Sequence, residues 1–275
     1  MSDRSSTGKS VILTLSQDDL SEALNAGWRD FKTALPYSLF FGAIYTFGGM
    51  LIAGLLFATH LQFAVYPLMT GFALIAPFVA AGTYEISRRL ERNEPLSWAA
   101  VLTFRRGLQE LGWMALVTTF ALIVWLDLAL LLYVTFFDSK FLNLAELVTA
   151  IATTPAGALF FVTGNLAGAC IAFVLFALTA VACPMLIDRD VDAITAMITS
   201  VRAVRANPRQ MIAWAALIAF LLAAATMCFF VGLAFVLPLL GHTTWHLYRK
   251  LVALPAPTGR QTSDADAPQA LPRAA

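Results

Sequence analysis

The chain has 275 residues, 59% hydrophobic and 13% charged, against roughly 45–50% and about 25% in soluble domains, so water cannot be its only solvent. Its net charge is +1 with no Lys/Arg-rich run, which excludes the long-range field of a nucleic-acid binder. Cys170, Cys183 and Cys228 lie in apolar stretches without a CxxC pair or a histidine at ligand spacing, and read as small buried apolar residues rather than metal ligands.

Residues 1–17 form a polar N-terminal segment without a signal-peptide pattern, so the first span is expected to insert as a signal anchor. From Asp18 to Leu35 the residues Leu20, Leu24, Trp28, Phe31 and Leu35 recur at three or four, which predicts an amphipathic helix, capped by Ser16. Apolar runs long enough to cross a bilayer follow at 39–59 and 61–83, a hairpin around His60.

A second amphipathic helix starts at Ser97, carries Trp98, Leu102 and Leu108, and leads into a span at 111–133. The fourth span, 160–187, sits in an apolar stretch longer than one crossing requires. A third amphipathic helix starts at Asp190 with Val191, Ile194, Ile198 and Val201, and Pro208 opens the next span. Met211 to Leu247 has no charged residue over 37 positions. As one helix it would reach about 55 Å, against a hydrocarbon core of roughly 30 Å. Two short spans at 209–227 and 230–247, folded back near Met227 to Gly232, are expected instead. The integral membrane domain is then 18–252, followed by a disordered Pro- and Ala-rich tail at 253–275.

The expected fold is all-α: a polytopic transmembrane helix bundle of about six spans with three cytoplasmic amphipathic surface helices. Seventeen of the eighteen Lys and Arg fall on one side of this arrangement, Lys140 alone on the other. The positive-inside rule places both termini in the cytoplasm of a bacterial inner membrane. The even spans end alike: Pro77 to Leu90 aligns without gaps on Pro238 to Leu251, with a fainter copy at Pro184 to Arg189. This suggests a triplicated unit of surface helix plus hairpin, and internal repeats are common in transporter folds.

Asp127, in Ile-Val-Trp-Leu-Asp-Leu-Ala, is the one acid inside a span. A carboxylate there costs about 2.5–3.5 kcal/mol near the centre and is tolerated facing a partner or a wet cavity. It reads either as an ionisable site, with Asn165 at hand, or as an interhelical hydrogen bond to Asn165 or Thr163. Gly164 and Gly168 form a small-xxx-small face for helix packing, as do Gly49 and Ala53. His242 and His246, four apart, are weak ligand candidates for a metal or haem. With Trp245, Tyr248 and Arg249 around them they read first as an interfacial belt.

Asp188, Asp190 and Asp192 lack the glycine and distal glutamate of an EF-hand, and N-capping by Asp190 accounts for them. Glu85 with Arg89 has the spacing of a helical ion pair on a solvated extension of span two. No Ser-His-Asp set, HExxH, phosphate loop or GxGxxG occurs, so no catalytic residue, metal or cofactor is expected.

Gly27-Trp-Arg-Asp-Phe31 before Pro36, Tyr84-Glu-Ile-Ser-Arg-Arg89, Pro184 to Asp190, Asn207-Pro208 and Pro238 to His246 together resemble the bacterial family called domain of unknown function 2189, over roughly Leu20 to Leu251. The resemblance implies a multi-pass inner-membrane protein without an established activity, some of whose relatives carry a cytochrome c oxidase label. A haem-copper catalytic subunit needs about six histidine ligands, and this chain has three histidines. The leading expectation is a non-enzymatic membrane protein that serves other membrane proteins as an accessory or assembly partner. The alternative is a small proton- or cation-coupled transporter using Asp127.

Overall fold

The computed structural model describes residues 11–59, 64, 67–68, 76–103, 107–138, 143–228 and 230–253. His60, Lys140, most of the expected 61–83 span, the first ten residues and all but the start of the tail lie outside these residues. The described chain is α-helical: α1 (Asp18–Thr33), α2 (Leu35–Ala58), α3 (Ala76–Glu91), α4 (Trp98–Leu102), α5 (Leu108–Phe137), α6 (Leu144–Thr153), α7 (Pro155–Thr179), α8 (Ala182–Asp188), α9 (Ala193–Ala206), α10 (Pro208–Met227) and α11 (Leu233–Leu251). Among the described residues four helical segments are long and apolar enough to cross a membrane: Leu35–Ala58, Gln109–Phe137, Pro155–Asp188 and Pro208–Met227.

Local sequence explains most boundaries. The cap position of α1 is Gln17, not Ser16; Ser16, one residue earlier, is tied to the first turn reciprocally, its Oγ accepting from the Asp19 amide at 3.2 Å and Asp19 Oδ2 accepting from the Ser16 amide at 2.6 Å. Ser97 caps α4 through the Ala100 amide at 3.2 Å. The α9 cap is Asp192, accepting from the Thr195 amide at 2.8 Å, not Asp190. The helix therefore starts at Ala193, because a cap must sit immediately before the first helical residue. The uncharged stretch 211–247 is broken by a turn at Cys228 to Gly232, where Phe230 has φ 66°. Thr46 of α2 donates to the Phe230 carbonyl at 3.1 Å and steadies this turn.

The long fourth apolar stretch also resolves. Helix α7 ends at Thr179, and all seven residues of α8 are buried. Its inner part is thus protein core rather than lipid-facing span, which is why it exceeds one crossing. Before it, α6 is capped by a box of Asn143 and Glu146 and packs on α7. Cys183 is buried, but Cys170 and Cys228 are exposed. The reading of all three as buried fails because free thiols are apolar enough to face lipid as well as core.

Helix α11 is the axis of the packing, with α1, α2 and α3 around it. Pro238 lies inside it and has no N–H to give the Ala234 carbonyl. α2 approaches that carbonyl so closely that a Cβ at Gly42 would overlap it. On another side, a Cβ at Gly241 would overlap the Thr83 hydroxyl of α3. These approaches bring the polar faces of α2, α3 and α11 within hydrogen-bonding distance.

The three surface helices are linked in a ring. The start of α2 meets the start of α4, with Tyr37 and Phe40 at 4.5 and 5.3 Å from the Trp98 ring. The start of α5 meets the start of α9, Glu110 accepting from the Ala193 amide at 2.9 Å. At the α9–α10 junction Asn207 holds the chain before α1 by the Leu15 amide at 2.7 Å and the Leu13 carbonyl at 3.0 Å. The ring closes where Ile12 and Val252 form an antiparallel bridge.

Candidate buried polar site

A hydrogen-bonded chain runs through the junction of α1, α2, α3 and α11. His242 is fully buried, with Ser38 Oγ 2.9 Å from Nε2 and Ser87 Oγ 2.8 Å from Nδ1. Ser87 in turn donates to Asp30 Oδ2 at 2.6 Å, and His246 Nε2 lies 2.8 Å from the same oxygen. A hydroxyl has one proton, so Ser87, having given its own to Asp30, accepts from His242 Nδ1–H. With a neutral imidazole, Nε2 is the acceptor for the Ser38 hydroxyl. The chain has one direction, from Ser38 to the carboxylate. His246 donates to Asp30 from the other side. Burial raises the Asp30 pKa, but the bonds from His246 and Ser87 outweigh it and hold the carboxyl below its ordinary value.

Beside this chain lies an ion-paired cluster where the ends of α3, α8 and α11 converge. Asp188, the last residue of α8, takes Arg92 at 3.0 Å, Tyr248 at 2.8 Å and Arg249 at 3.2 Å. Glu91 accepts from Trp245 Nε1 at 3.0 Å and pairs with Arg249 at 2.8 Å. Glu85 holds Arg88 at 2.8 Å and Arg89 at 2.7 Å with a side chain only 2% exposed. The expected Glu85–Arg89 pair exists, yet it is not on a solvated extension: α3 is covered by α11, α8 and α4. Lys250 Nζ reaches Asp19 at 2.6 Å and Glu22 at 2.5 Å, tying α1 to the end of α11.

His242 and His246 are therefore not an interfacial belt. They lie on the α11 face turned toward α1, α2 and α3, where a serine and an aspartate replace lipid headgroups as their partners. Trp245 and Tyr248 are likewise buried. Among the described residues no group of three or more His, Cys, Asp and Glu could hold a metal ion. A narrow cleft with room for about one water lies between α2, α3 and α11, lined by Phe41, Tyr45, Thr83 and Pro238.

Asp127 lies elsewhere. It is exposed on α5, on a face with Leu116, Phe120, Ile123, Leu130 and Val134. Of the most apolar window of α5 only 11% is buried within the chain, against 33% for α2, so this face is turned outward. Asn165 donates to the Phe161 carbonyl of its own helix at 2.8 Å, and Thr163 to the Leu159 carbonyl at 2.8 Å. Gly168 meets the Trp125 ring of α5, while Gly164 faces open space among the described residues. The pair is thus not one joint contact face. Gly49 is close to Phe230.

Residues 65–188 match the family DUF2189, described as predicted integral membrane protein. The DUF2189 match bears out the resemblance within that segment, which is less than half of the chain. The chain is a multi-pass membrane protein. No curated protein and no solved structure matches it. The DUF2189 segment contains Ser87, Asp127 and Asp188, whereas Asp30, Ser38 and His242 lie outside it.

Reasoning from sequence missed Asp30, Ser38 and Ser87 as partners of the histidines. The usable signal was the i, i+4 histidine pair on a helix whose Trp, Tyr and Thr neighbours offer more donors than a lipid-facing surface needs.

Proposed function

We propose that this chain is a non-enzymatic accessory or assembly partner of other membrane proteins, set in a bacterial inner membrane with its termini in the cytoplasm. The observation that carries the reading is the outward placing of Asp127. Intramembrane acids face a bundle interior or a wet cavity. This one stands on the exposed apolar face of α5, so the interior that receives it is supplied by another polypeptide, through a transmembrane helix offering a hydrogen-bond donor or a cation. A transporter coupling through Asp127 would hold the side chain inside its own bundle, so the same observation weighs against that alternative.

The test is quantitative mass spectrometry of proteins that co-purify with the tagged chain from gently extracted native membrane. A stoichiometric membrane partner that is lost with Asp127→Leu and partly kept with Asp127→Asn is the expected result. Recovery of the chain alone, with Asp127→Leu expressed and folded as the parent, would overturn the reading.

A further inference from the structure

We propose that α9 and the start of α10 form a binding site for the phosphate headgroups of anionic phospholipids, independently of the function proposed above. Helix α9 buries Ala193, Ala196, Thr199, Ser200, Ala203 and Val204, and Ser200 Oγ accepts from the Val181 amide at 3.1 Å, which pins this face to the start of α8. The opposite face carries Ile194, Ile198, Arg202 and Arg205, at steps of four, four and three, all exposed. Arg209, in the first turn of α10, is exposed beside them.

The charge on this face is unspent. Arg88, Arg89, Arg92, Arg189, Arg249 and Lys250 each have a carboxylate partner within 4 Å. Arg202, Arg205 and Arg209 have none among the described residues. The acids of this region do not reach them, because Asp192 is committed to Thr195 at the opposite end of the helix, about 15 Å from Arg202 at 1.5 Å per residue.

Position supplies the second argument. Helix α10 is a candidate span beginning at Pro208, so Arg205 and Arg209 flank the point where the chain enters the bilayer. Ile194 and Ile198, 66% and 46% exposed, then lie at the depth of the acyl boundary, with the guanidinium groups at headgroup level. Guanidinium forks bind phosphate oxygens in pairs, which gives anionic headgroups an advantage over zwitterionic ones.

The test uses the purified full-length chain in a neutral maltoside, titrated with phosphatidylglycerol or phosphatidylcholine and read by native mass spectrometry. Basic residues at an anionic surface contribute about fivefold each, so about a hundredfold for three at low salt. The expected result is phosphatidylglycerol binding at least tenfold tighter than phosphatidylcholine. That preference should vanish in R202Q/R205Q/R209Q and persist in R202K/R205K/R209K, while 10 mM inorganic phosphate leaves it unchanged. The single variant R205Q, with a melting profile like the parent's, should lose about fivefold and keeps the test available if the triple variant misfolds. Equal affinity of parent and glutamine variants for phosphatidylglycerol would overturn the site. Displacement of the lipid by inorganic phosphate would overturn its assignment to lipid.

Discussion

Replacing His242 by alanine separates a cooperative hydrogen-bonded core from a set of incidental contacts. In the parent, Ser38 is hydrogen-bonded to Nε2, and Ser87 is bonded to Nδ1 while donating to Asp30. Alanine leaves both hydroxyls without that partner in a site with no exposure. An orphaned buried group costs about 1–3 kcal/mol. Ser38 can fall back on a carbonyl one turn earlier in its own helix, which puts its share at the low end of about 1 kcal/mol. Ser87 loses a donor but keeps Asp30, which suggests about 1 kcal/mol again. The vacated imidazole volume adds about 2 kcal/mol. The sum is about 4 kcal/mol, a large share of the roughly 5–15 kcal/mol that holds a typical domain together. Unfolding in mixed micelles, followed by tryptophan fluorescence, measures it. In a double-mutant cycle, Ser87→Ala should cost about 2 kcal/mol in the parent and much less in His242→Ala, since contacting residues couple by about 0.5–3 kcal/mol. A loss below about 1 kcal/mol for His242→Ala, or strict additivity with Ser87→Ala, would refute the network.

The remaining predictions test the packing around it. The Asp19 carboxyl is lowered to about 2 chiefly by its bond to Lys250; a depressed folded value contributes stability above the ordinary pKa of 3.8, lost as pH falls toward 2. Hydrogen exchange of α1 should therefore accelerate below pH 4 in the parent, and Asp19→Asn should remove that acid-dependent part. Asp188→Ala removes the shared acceptor of Arg92, Arg249 and Tyr248; Arg92 is 45% exposed and Arg249 keeps Glu91, so the loss in the same micelle assay should be about 1–3 kcal/mol, set by the buried Tyr248 hydroxyl. Gly42→Ala places a methyl against the Ala234 backbone and should cost about 1–3 kcal/mol, whereas Gly164→Ala, facing open space, should be neutral. Because Ala253 and Val11 are joined by a 3.0 Å backbone bond, a permutant with those ends linked and new termini at Asn93 should insert and keep the parent's melting profile; failure to insert would deny the ring closure.

The fold was readable where lipid imposes a simple rule. Twenty apolar residues with charges at one end define a span, and this located α2, α5, α7 and α10. It said less about α8 and α11, whose surroundings are other helices: Pro184 to Ile187 is apolar because it is core, and His242 to Thr244 is polar yet buried. Hydropathy cannot separate a histidine facing headgroups from one facing a serine on another helix. The close approach that brings Ser38 and Ser87 to His242 depends on Gly42, Gly241 and Pro238 acting together across three helices, which no single segment encodes. Asp127 was visible as an anomaly, but its direction depends on the rotation of α5, which a uniformly apolar helix does not betray.

The ring of contacts relates the polar core to the outward acid. Its three links, at the starts of α2, α5 and α10, use different chemistry: an aromatic pair, a carboxylate on an amide, and an asparagine with two backbone bonds. The two ends of the described chain are joined noncovalently, by α1 and α2 against α11, and it is at this seam that the chain places His242, Asp30 and the Lys250 pairs. A seam without a peptide link needs directional bonds to fix its register, which apolar packing between helices in lipid does not supply. The middle of the chain is covalently held on both sides and enters this polar region through Asp188 of α8, which takes Arg92, Tyr248 and Arg249. Its hairpin of α5 and α7 packs chiefly on itself and on α6, α8 and α9, so its outer face is the part of the molecule least committed to the ring. That is the face on which Asp127 stands. The outward acid thus stands on the helices that take least part in closing the ring.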